Sequence, residues 1–454
     1  MASKRDLVEA HSYNRRRLIS AFVSGAPRGR DVEGIARSRP VIGGVAASIL
    51  LMGGTAIAGM LTSPLDGGWV DAHVVIAKQS AARYVSEKGT LYPVINATSA
   101  RLMLPASANF PVIVVDDDKI ASTPKGPARG ILGAPDDLPA AAALVEDGWV
   151  ACLNGGKTAT SLRNQPITTA TGDGLPVLMV TSGGQNWLLV GGARYAVPAA
   201  KVGPLRRELD IATIEVPEVP GTWLDLLPQG QPLELSNKHR GALLPPALTM
   251  GGRITKVGQV VRDSNNPARQ FIVIGEGTVP LTPFAAAVYR ADDPEMSVVV
   301  SVPSADLAAA PAYTKGSGDV YPDSWPVTMP VRSKAVPCIT LTTGTADDAP
   351  AARFVTVAPD SPLAKGPATT VTPGAGALVR VSSVGSPSGP VFIIDQSGRK
   401  FAVLDPSEET LARLGYAGYR PRLLPGPWLL LFPSGPALSE QAALASPAVA
   451  SPGP

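Results

Sequence analysis

The longest uninterrupted apolar stretch of the chain runs from Val41 to Leu61. It holds 21 residues without a charge or a proline, and its only polar side chains are Ser48 and Thr55. As a helix it would be about 30 Å long, the thickness of the hydrocarbon core of a bilayer. The pattern therefore predicts a transmembrane helix over residues 41–61. A cleaved signal peptide and a buried core helix are the alternatives, and the stretch is long for both.

Beyond this stretch, apolar positions fall into short runs that are separated by turns. Glycine and proline each contribute 46 of the 454 residues, which favours many short strands over long helices. Four segments have the pattern of a β-hairpin, with a strand, a Gly-containing turn and an aromatic or β-branched return strand. They are residues 83–95, 187–197, 270–281 and 392–403. Short helices are predicted at Leu205–Ile211 and Glu408–Leu414.

One longer segment occurs twice. Residues 220–233 read PGTWLDLLPQGQPL and residues 425–438 read PGPWLLLFPSGPAL, so eight of fourteen positions are identical without a gap. The identical positions that we take as the signature of the unit are Trp223 and Trp428, and Gly230 and Gly435. Because each copy follows a predicted hairpin, the sequence predicts a recurring β unit that packs on its neighbours.

These patterns predict an α+β chain that is mainly β. We expect a cytoplasmic basic arm (1–40), a transmembrane helix (41–61), repeat 1 (62–140), a central core part (141–185), repeat 2 (186–233), repeat 3 with further core (234–310), a second central core part (311–390), repeat 4 (391–438) and a flexible tail (439–454). The strand-like runs Pro176–Val180 and Met296–Val302 are expected to share a central sheet.

Charge is distributed unevenly about the predicted span. Residues 1–40 carry nine Lys or Arg against four Asp or Glu, although the net charge of the chain is only +3. Because basic flanks remain in the cytoplasm, we expect the N-terminus inside and the bulk of the chain outside. This basicity fits orientation and anionic lipid better than nucleic acid. Arg15, Arg16 and Arg17 lie on a predicted helix and could bind lipid phosphate or an acidic partner; a solvated helix face is the alternative.

The chain has only two cysteines, Cys152 and Cys338. Outside the cell both would face an oxidising compartment, in which pairing is expected. A bond between them would close the loop from residue 152 to residue 338, for which the chain-entropy model gives a stabilisation of about 5 kcal/mol. Two unrelated buried thiols are the alternative.

The sequence offers no convincing catalytic or metal-binding set. His11, His73 and His239 lack the spacing of metal ligands, and no Gly-x-Ser-x-Gly elbow presents a nucleophile. Residues 151–158 read ACLNGGKT, with alanine where a phosphate loop requires its first glycine, so a turn is favoured over ATP binding. Asp116–Asp118 favours a solvated turn over a cation site. We therefore assign no catalytic, cofactor-binding or metal residue.

Motifs along nearly the whole chain carry a resemblance to a known family. They are the arm residues His11, Tyr13, Arg15, Arg16, Arg17, Leu18 and Ala21, the predicted span, Leu91–Val94, Ala100–Leu104, Ile131–Asp136, Leu138–Pro139, Trp149, Cys152, Cys338 and Pro425–Leu438. Together they resemble the EccB family, a core membrane component of type VII (ESX-type) secretion systems. The arm departs from the usual family sequence at Asn14, where an aromatic residue is common.

The resemblance implies a single-pass inner-membrane protein whose large extracytoplasmic domain has four repeats around a central core, with a disulfide between Cys152 and Cys338. It implies assembly with EccC, EccD and EccE, contact with a mycosin protease, and a hexameric machine. Some members are described as ATPases. Our main hypothesis is a structural component that helps assemble the export channel. The alternatives are an extracytoplasmic ATPase and a cell-wall-binding module on a membrane anchor.

Overall fold

The structure is a computed structural model that describes residues 67–106, 111–165, 167–172, 174–236, 239–365, 368–382 and 388–447. The predicted arm and span lie outside these residues. Within them, no helix combines the length and the apolar character that crossing a bilayer requires. The described part is mainly β with short helices, as the sequence predicted.

The first sheet, sheet 1, contains an antiparallel meander and a fourth strand that is parallel to its first. The strands are β1 (Val74–Ala77), β2 (Arg83–Glu87), β3 (Thr90–Pro93) and β4 (Val112–Val115), in the order β3-β2-β1-β4. A parallel pair needs a crossover connection, and helix α1 (Ala97–Met103) lies in it. This helix begins at Asn96, whose side chain accepts a hydrogen bond from the Ser99 N–H. Helix α2 (Asp117–Ala121) follows β4.

The chain next enters a central sheet and leaves it to build sheets 2 and 3. The central strands are β5 (Trp149–Asn154) and β6 (Lys157–Leu162). Sheet 2 contains β7 (Pro176–Ser182), β8 (Gln185–Val190) and β9 (Ala193–Val197), followed by helices α3 (Ala199–Glu208) and α4 (Gly221–Leu224). Sheet 3 contains β10 (Val260–Asp263), β11 (Gln270–Ile274), β12 (Gly277–Leu281) and β13 (Val299–Val302), with helices α5 (Pro283–Asp292) and α6 (Ser304–Ala309).

The chain then returns to complete the central sheet before it forms sheet 4. Strand β14 (Val331–Arg332) joins the edge of sheet 2, and β15 (Val336–Thr342), β16 (Ala351–Val357) and β17 (Thr369–Val371) join the central sheet, with helix α7 (Pro362–Lys365). Sheet 4 contains β18 (Ala377–Ser382), β19 (Val391–Ile394), β20 (Lys400–Val403) and β21 (Arg422–Pro425), with helices α8 (Glu408–Arg413), α9 (Gly426–Leu429) and α10 (Glu440–Leu444).

The strand orders reveal a common plan. They are β14-β7-β8-β9 for sheet 2, β12-β11-β10-β13 for sheet 3, β20-β19-β18-β21 for sheet 4 and β16-β15-β5-β6-β17 for the central sheet. Short 3₁₀ turns lie at Gly67–Val70, Ala141–Ala143, Pro246–Leu248 and Ser317–Asp319. Sheets 1, 3 and 4 repeat the same order of meander and parallel strand. In sheet 2 the parallel position beside β7 is shared by β14, which comes from much later in the chain, and by a bridge between Thr181 and Glu218.

The prediction that Pro176–Val180 and Met296–Val302 share a central sheet is wrong. The first run lies in β7 of sheet 2, and the second includes β13 of sheet 3. Sheet 2 therefore begins at Pro176 and sheet 4 at Ala377, which places their first strands before the predicted repeat ranges 186–233 and 391–438. Both runs are apolar because they pack inside a domain, and apolarity alone does not identify the sheet to which a strand belongs.

The four outer sheets associate in two pairs through their helices. Helix α1 of sheet 1 packs against α8 and α10 of sheet 4, where Leu102, Leu411 and Ala443 share one apolar core. Helix α3 of sheet 2 packs against α5 of sheet 3, where Leu205 and Phe284 share another. Sheets 2 and 4 also pack on one face of the central sheet, and α7 covers part of the opposite face.

Candidate functional site

A 13-residue segment begins at an equivalent place in every outer sheet, within the parallel strand of sheets 1, 3 and 4 and at the bridge residue Glu218 of sheet 2. We call these docking segments 1 to 4: VVDDDKIASTPKG (114–126), EVPGTWLDLLPQG (218–230), SVPSADLAAAPAY (301–313) and LLPGPWLLLFPSG (423–435). In each one, the carbonyl of the proline at the eleventh position, which we call the docking proline, accepts a backbone N–H from the third strand of the sheet. The donors are Leu91, Arg194, Thr278 and Lys400, at 2.9, 3.0, 2.8 and 2.9 Å. Each segment therefore crosses its sheet from one edge to the other.

Docking segments 2 and 4 carry a buried tryptophan at their sixth position, and both contact the central sheet. The Trp223 indole N–H donates to the Ala151 carbonyl at 2.9 Å. The Trp428 ring lies edge-on to Trp149, with ring centroids 6.5 Å apart, and Phe432 packs on Trp149 at 5.7 Å. The two predicted signature tryptophans thus belong to one core that joins sheets 2 and 4 to the central sheet.

Docking segments 1 and 3 carry a charged residue at the same position. Lys119 is exposed, and Asp306 forms an ion pair with Arg253 within the region of sheet 3. Neither belongs to the apolar core around the central sheet. Since a charged side chain is costly to bury without a partner, these two segments are unsuited to the role of the tryptophans. Sheets 1 and 3 instead contact their neighbours through helices α1 and α5.

The predicted signature glycines allow close contact with an aromatic ring. A Cβ atom at Gly230 would overlap the ring of Tyr195, and one at Gly435 would overlap Phe401. Gly126 stands in the same relation to Tyr92. Docking segment 3 reverses the arrangement, because Tyr313 stands at the glycine position and Val279 at the position of the ring. The equivalence follows from the backbone, since the Tyr313 N–H donates to the Thr278 carbonyl just as each glycine N–H donates to the residue before its ring. In every sheet, the thirteenth residue of the docking segment and its partner on the third strand therefore combine one larger and one smaller side chain.

Cys152 and Cys338 form a disulfide between neighbouring strands of the central sheet. They lie directly opposite each other on β5 and β15, with Cα atoms 4.0 Å apart. The 186-residue separation between them contains all of sheet 3 and the strands of sheet 2. The disulfide therefore joins the two ends of the chain segment that forms these two sheets.

Two arginines fasten sheet 1 to sheet 4 in a reciprocal way. The Arg101 Nη1 donates to the Leu414 carbonyl at 3.1 Å, and the Arg413 Nη1 donates to the Leu102 carbonyl at 3.0 Å. Each cation thus lies at the C-terminal end of the other helix, where carbonyl groups lack partners and the helix dipole favours positive charge. Burial lowers the pKa of Arg101. Burial also raises the pKa of Tyr416, whose hydroxyl donates to the Pro139 carbonyl at 2.9 Å.

The junction between sheets 2 and 3 uses carboxylates in place of carbonyls. The Arg290 Nε donates to a Glu208 carboxylate oxygen at 2.6 Å, and the Lys201 Nζ lies 2.7 Å from Asp292. These side chains are about a third exposed or less, so solvent screens the pairs only in part. The apolar faces of α3 and α5 supply the remaining contact.

The other candidate residues do not come together in a catalytic site. Gly155 and Gly156 form the tight turn of the β5–β6 hairpin, and strand β6 follows where a phosphate loop would require a helix. One carboxylate oxygen of Asp117 accepts the backbone N–H of Gln79 and the other that of Ser80, which fixes a loop. In the described ranges, no three His, Cys, Asp or Glu side chains are grouped as metal ligands would be. The Arg15–Arg17 triplet lies outside these ranges.

Sequence reasoning found docking segments 2 and 4 and missed segments 1 and 3. The tryptophan and glycine identities made the match between segments 2 and 4, and segments 1 and 3 lack the tryptophan. The signal that unites all four is weaker: a buried Val or Leu at the second position, a buried Ile or Leu at the seventh and proline at the eleventh. That pattern becomes visible only when the parallel strand in front of it is known.

Comparison with known proteins supplies the family. The model of the family described as "Type VII secretion system ESX-1, transport TM domain B" matches residues 1–451. The ESX-2 secretion system ATPase EccB2 of Mycobacterium tuberculosis is 25% identical over 482 residues, which cover 97% of this chain and 94% of the relative. The ESX-3 secretion system ATPase EccB3 of Mycolicibacterium smegmatis is 27% identical over 423 residues, which cover 83% and 78%.

Solved structures share the fold. A chain of an intact ESX-5 inner membrane complex superposes with a TM-score of 0.61 at 21% identity and covers 100% of this chain and 98% of its own length. A chain of an EccB3 dimer from the ESX-3 core complex superposes with a TM-score of 0.65 at 22% identity and covers 82% and 100%. With the family model matched over almost the whole sequence, the chain belongs to the EccB family of type VII secretion systems.

Proposed function

We propose that this chain is a structural, membrane-anchored component of a type VII secretion core complex and helps assemble the export channel. One observation carries the proposal: the tryptophans that recur in docking segments 2 and 4 are buried where sheets 2 and 4 join the central sheet. Trp223 and Trp428 pack between sheets, and Gly230 and Gly435 allow each segment to contact an aromatic ring of its own sheet. A chain whose recurring residues fix sheets together is suited to act as a scaffold that presents rigid surfaces to partners.

The proposed topology has the arm (1–40) in the cytoplasm, one span (41–61) and the remaining chain on the extracytoplasmic, periplasmic side. The uncharged stretch and the basic flank before it support this orientation. The proposed partners are EccC-, EccD- and EccE-like membrane subunits, a mycosin protease and further copies of the chain in a hexameric machine. Solved relatives described as part of an inner membrane complex and as a dimer support such assembly.

Two measurements test this function. Protease added to intact spheroplasts should digest the region after residue 62 and spare a tag on the arm; survival of the large region would contradict the topology. Extraction in mild detergent followed by native mass measurement should give a large hetero-complex. A lone monomer under those conditions would contradict the assembly role.

An ATPase is the second candidate, because the relatives named above carry that word in their names. In this chain the nearest phosphate-loop sequence ends in Lys157 and Thr158, which begin strand β6. Purified full chain in detergent should be assayed for ATP turnover beside Lys157→Ala. Loss of turnover in the variant would favour the enzyme; turnover that the variant retains would exclude this loop as its site.

A further inference from the structure

The first residue of each docking segment lies on the outer edge of its sheet. In sheet 1 the Val74 N–H donates to the Pro111 carbonyl and the Lys78 N–H donates to the Val115 carbonyl, both at 2.8 Å. In a parallel pair, alternate residues bond to the neighbouring strand. The backbone groups of Val112 and Val114 therefore point away from β1. The residues at the corresponding place in the other sheets are Glu218, Ser301 and Leu423, each ten residues before the docking proline.

One of these four edges is occupied by a bound segment, and an exposed charge lies on or beside two others. Leu423 exchanges two backbone hydrogen bonds with Gly344, both at 2.9 Å, in an antiparallel bridge. Glu218 places an exposed charge at the edge of sheet 2. In sheet 3 the register partner of Ser301, on the neighbouring strand β10, is the exposed cation Arg262. A bound segment and exposed charges are the means by which proteins protect edge strands from pairing.

The edge of sheet 1 has none of these protections. Strand β4 reads Val-Ile-Val-Val, so all four residues are β-branched and none is charged. Val114 is 39% exposed, and its neighbour in the sheet is Ile76, which is 8% exposed. Among the described residues, no hydrogen bond satisfies the outward N–H and C=O groups of Val112 and Val114. Such an edge is a template for another strand.

We propose that β4 pairs with β4 of a second copy of this chain in antiparallel orientation. The antiparallel bridge at Leu423 shows that the equivalent edge accepts this orientation within the same fold. Self-pairing suits an uncharged strand, because a two-fold axis brings identical residues together and like charges would repel. In the register that the outward groups require, Val112 lies opposite Val114 of the partner subunit. Ile113 then lies opposite its own copy on the axis.

This inference rests on the proposed assembly role and specifies one surface for it. Sheet 1 is suited to carry that surface, because docking segment 1 has Lys119 where segments 2 and 4 have the tryptophans that bury their sheets on the centre. Its edge therefore remains at the periphery of the unit.

A cysteine cross-link tests the pairing in the full chain. In an antiparallel pair the residues on the two-fold axis that are not hydrogen-bonded to each other have Cα atoms about 4.5 Å apart, which suits a disulfide. Ile113→Cys in native membranes should give a covalent dimer under mild oxidation, since both native cysteines are already paired. The matched control is Val300→Cys, the same position in sheet 3, which should remain monomeric on a non-reducing gel.

A backbone variant tests the hydrogen bonds without a new thiol. Val114→Pro removes one outward N–H and spares the bonds to β1, so it should weaken self-association about tenfold, as the loss of both symmetry-related bonds predicts. Ser301→Pro makes the same change at the edge of sheet 3 and should leave self-association unchanged.

The outcomes separate this inference from the function on which it rests. A cross-link at Ile113 together with weaker association of Val114→Pro supports strand pairing. No cross-link in a preparation that still contains several copies by native mass overturns the pairing and leaves the assembly role intact. Loss of a different subunit from Val114→Pro without an Ile113 cross-link assigns the edge to that subunit and likewise overturns self-pairing. A preparation with no multi-copy complex overturns both proposals.

Discussion

Sheets 2 and 4 carry a tryptophan at the position where sheets 1 and 3 carry a charged residue, and the two pairs of sheets attach differently. All four sheets have a docking segment that crosses one face and is held by a proline carbonyl. Where the sixth residue is Trp223 or Trp428, the segment is buried against the central sheet. Where it is Lys119 or Asp306, the sheet contacts a neighbour through a helix instead. The difference teaches that one repeated fold can take distinct places in a domain according to whether its docking segment carries apolar or charged side chains.

The two helix junctions sharpen the same contrast. Sheet 1 is held to sheet 4 by arginines that bond to buried helix ends, whereas sheet 3 is held to sheet 2 partly by carboxylate pairs. The first kind satisfies carbonyls that would otherwise lack a partner, and the second adds charge pairs that solvent weakens. Sheets 1 and 3 are thus attached to the central sheet only indirectly, through sheets 4 and 2.

The largest effect should come from removing a tryptophan anchor. Trp428→Ala leaves a cavity beside Trp149 and should lower the free energy of unfolding by about 3–5 kcal/mol. Asp306→Ala, at the same position of docking segment 3, should cost about 1 kcal/mol or less because its ion pair is partly exposed. Chemical denaturation of the full chain in mild detergent, followed by circular dichroism, measures both. Equal losses would contradict the division of the sheets into two classes.

Removing one of the two arginine hydrogen bonds between sheets 1 and 4 should have the next largest effect. Arg101→Met keeps an unbranched apolar stem but leaves the Leu414 carbonyl without this donor, so unfolding should become easier by about 1–3 kcal/mol. Glu208→Gln weakens the corresponding pair between sheets 2 and 3 and should cost less than about 1 kcal/mol. The same denaturation experiment compares them, and a larger loss for Glu208→Gln would reverse our ranking of the two junctions.

The pairing of a ring with a glycine predicts a moderate effect and its rescue. Gly230→Ala forces its Cβ into the Tyr195 ring and should destabilise the chain by about 1–3 kcal/mol. Gly68→Ala, which meets open space, serves as the control and should be nearly neutral. The double variant Tyr195→Val with Gly230→Tyr copies the arrangement of docking segment 3 and should lose less than the sum of its single changes. Strict additivity would show that the two positions are independent.

The smallest effect separates the two anchors from each other. The Trp223 indole donates to Ala151, whereas the Trp428 N–H has no acceptor among the described residues. Trp223→Phe should therefore cost about 1 kcal/mol more than Trp428→Phe, because it alone leaves a buried carbonyl without its donor. Paired denaturation curves check this difference, and the reverse order would mean that the hydrogen bond contributes little.

Much of the local structure could be predicted because it depends on residues that are near in sequence. The hairpin patterns located β8–β9 and β19–β20, and the predicted helix Glu408–Leu414 matches α8 within one residue. The turn that the sequence predicts at Lys157 and Thr158 lies two residues earlier, at Gly155 and Gly156, and Lys157 begins β6. These features follow from alternation, turn residues and helix caps, which act over a few residues.

The sequence by itself determined the short elements, the two tryptophan-bearing segments and the two cysteines that could be joined. Only the tertiary structure decided which strands share a sheet, because the parallel partner of each first strand lies about 40 residues further along, beyond the reach of any local pattern. It also decided that Lys119 and Trp428 occupy equivalent places, and that none of the described residues pairs with the outer edge at Val114. Those facts depend on what surrounds a residue in space, and packing between distant segments sets those surroundings.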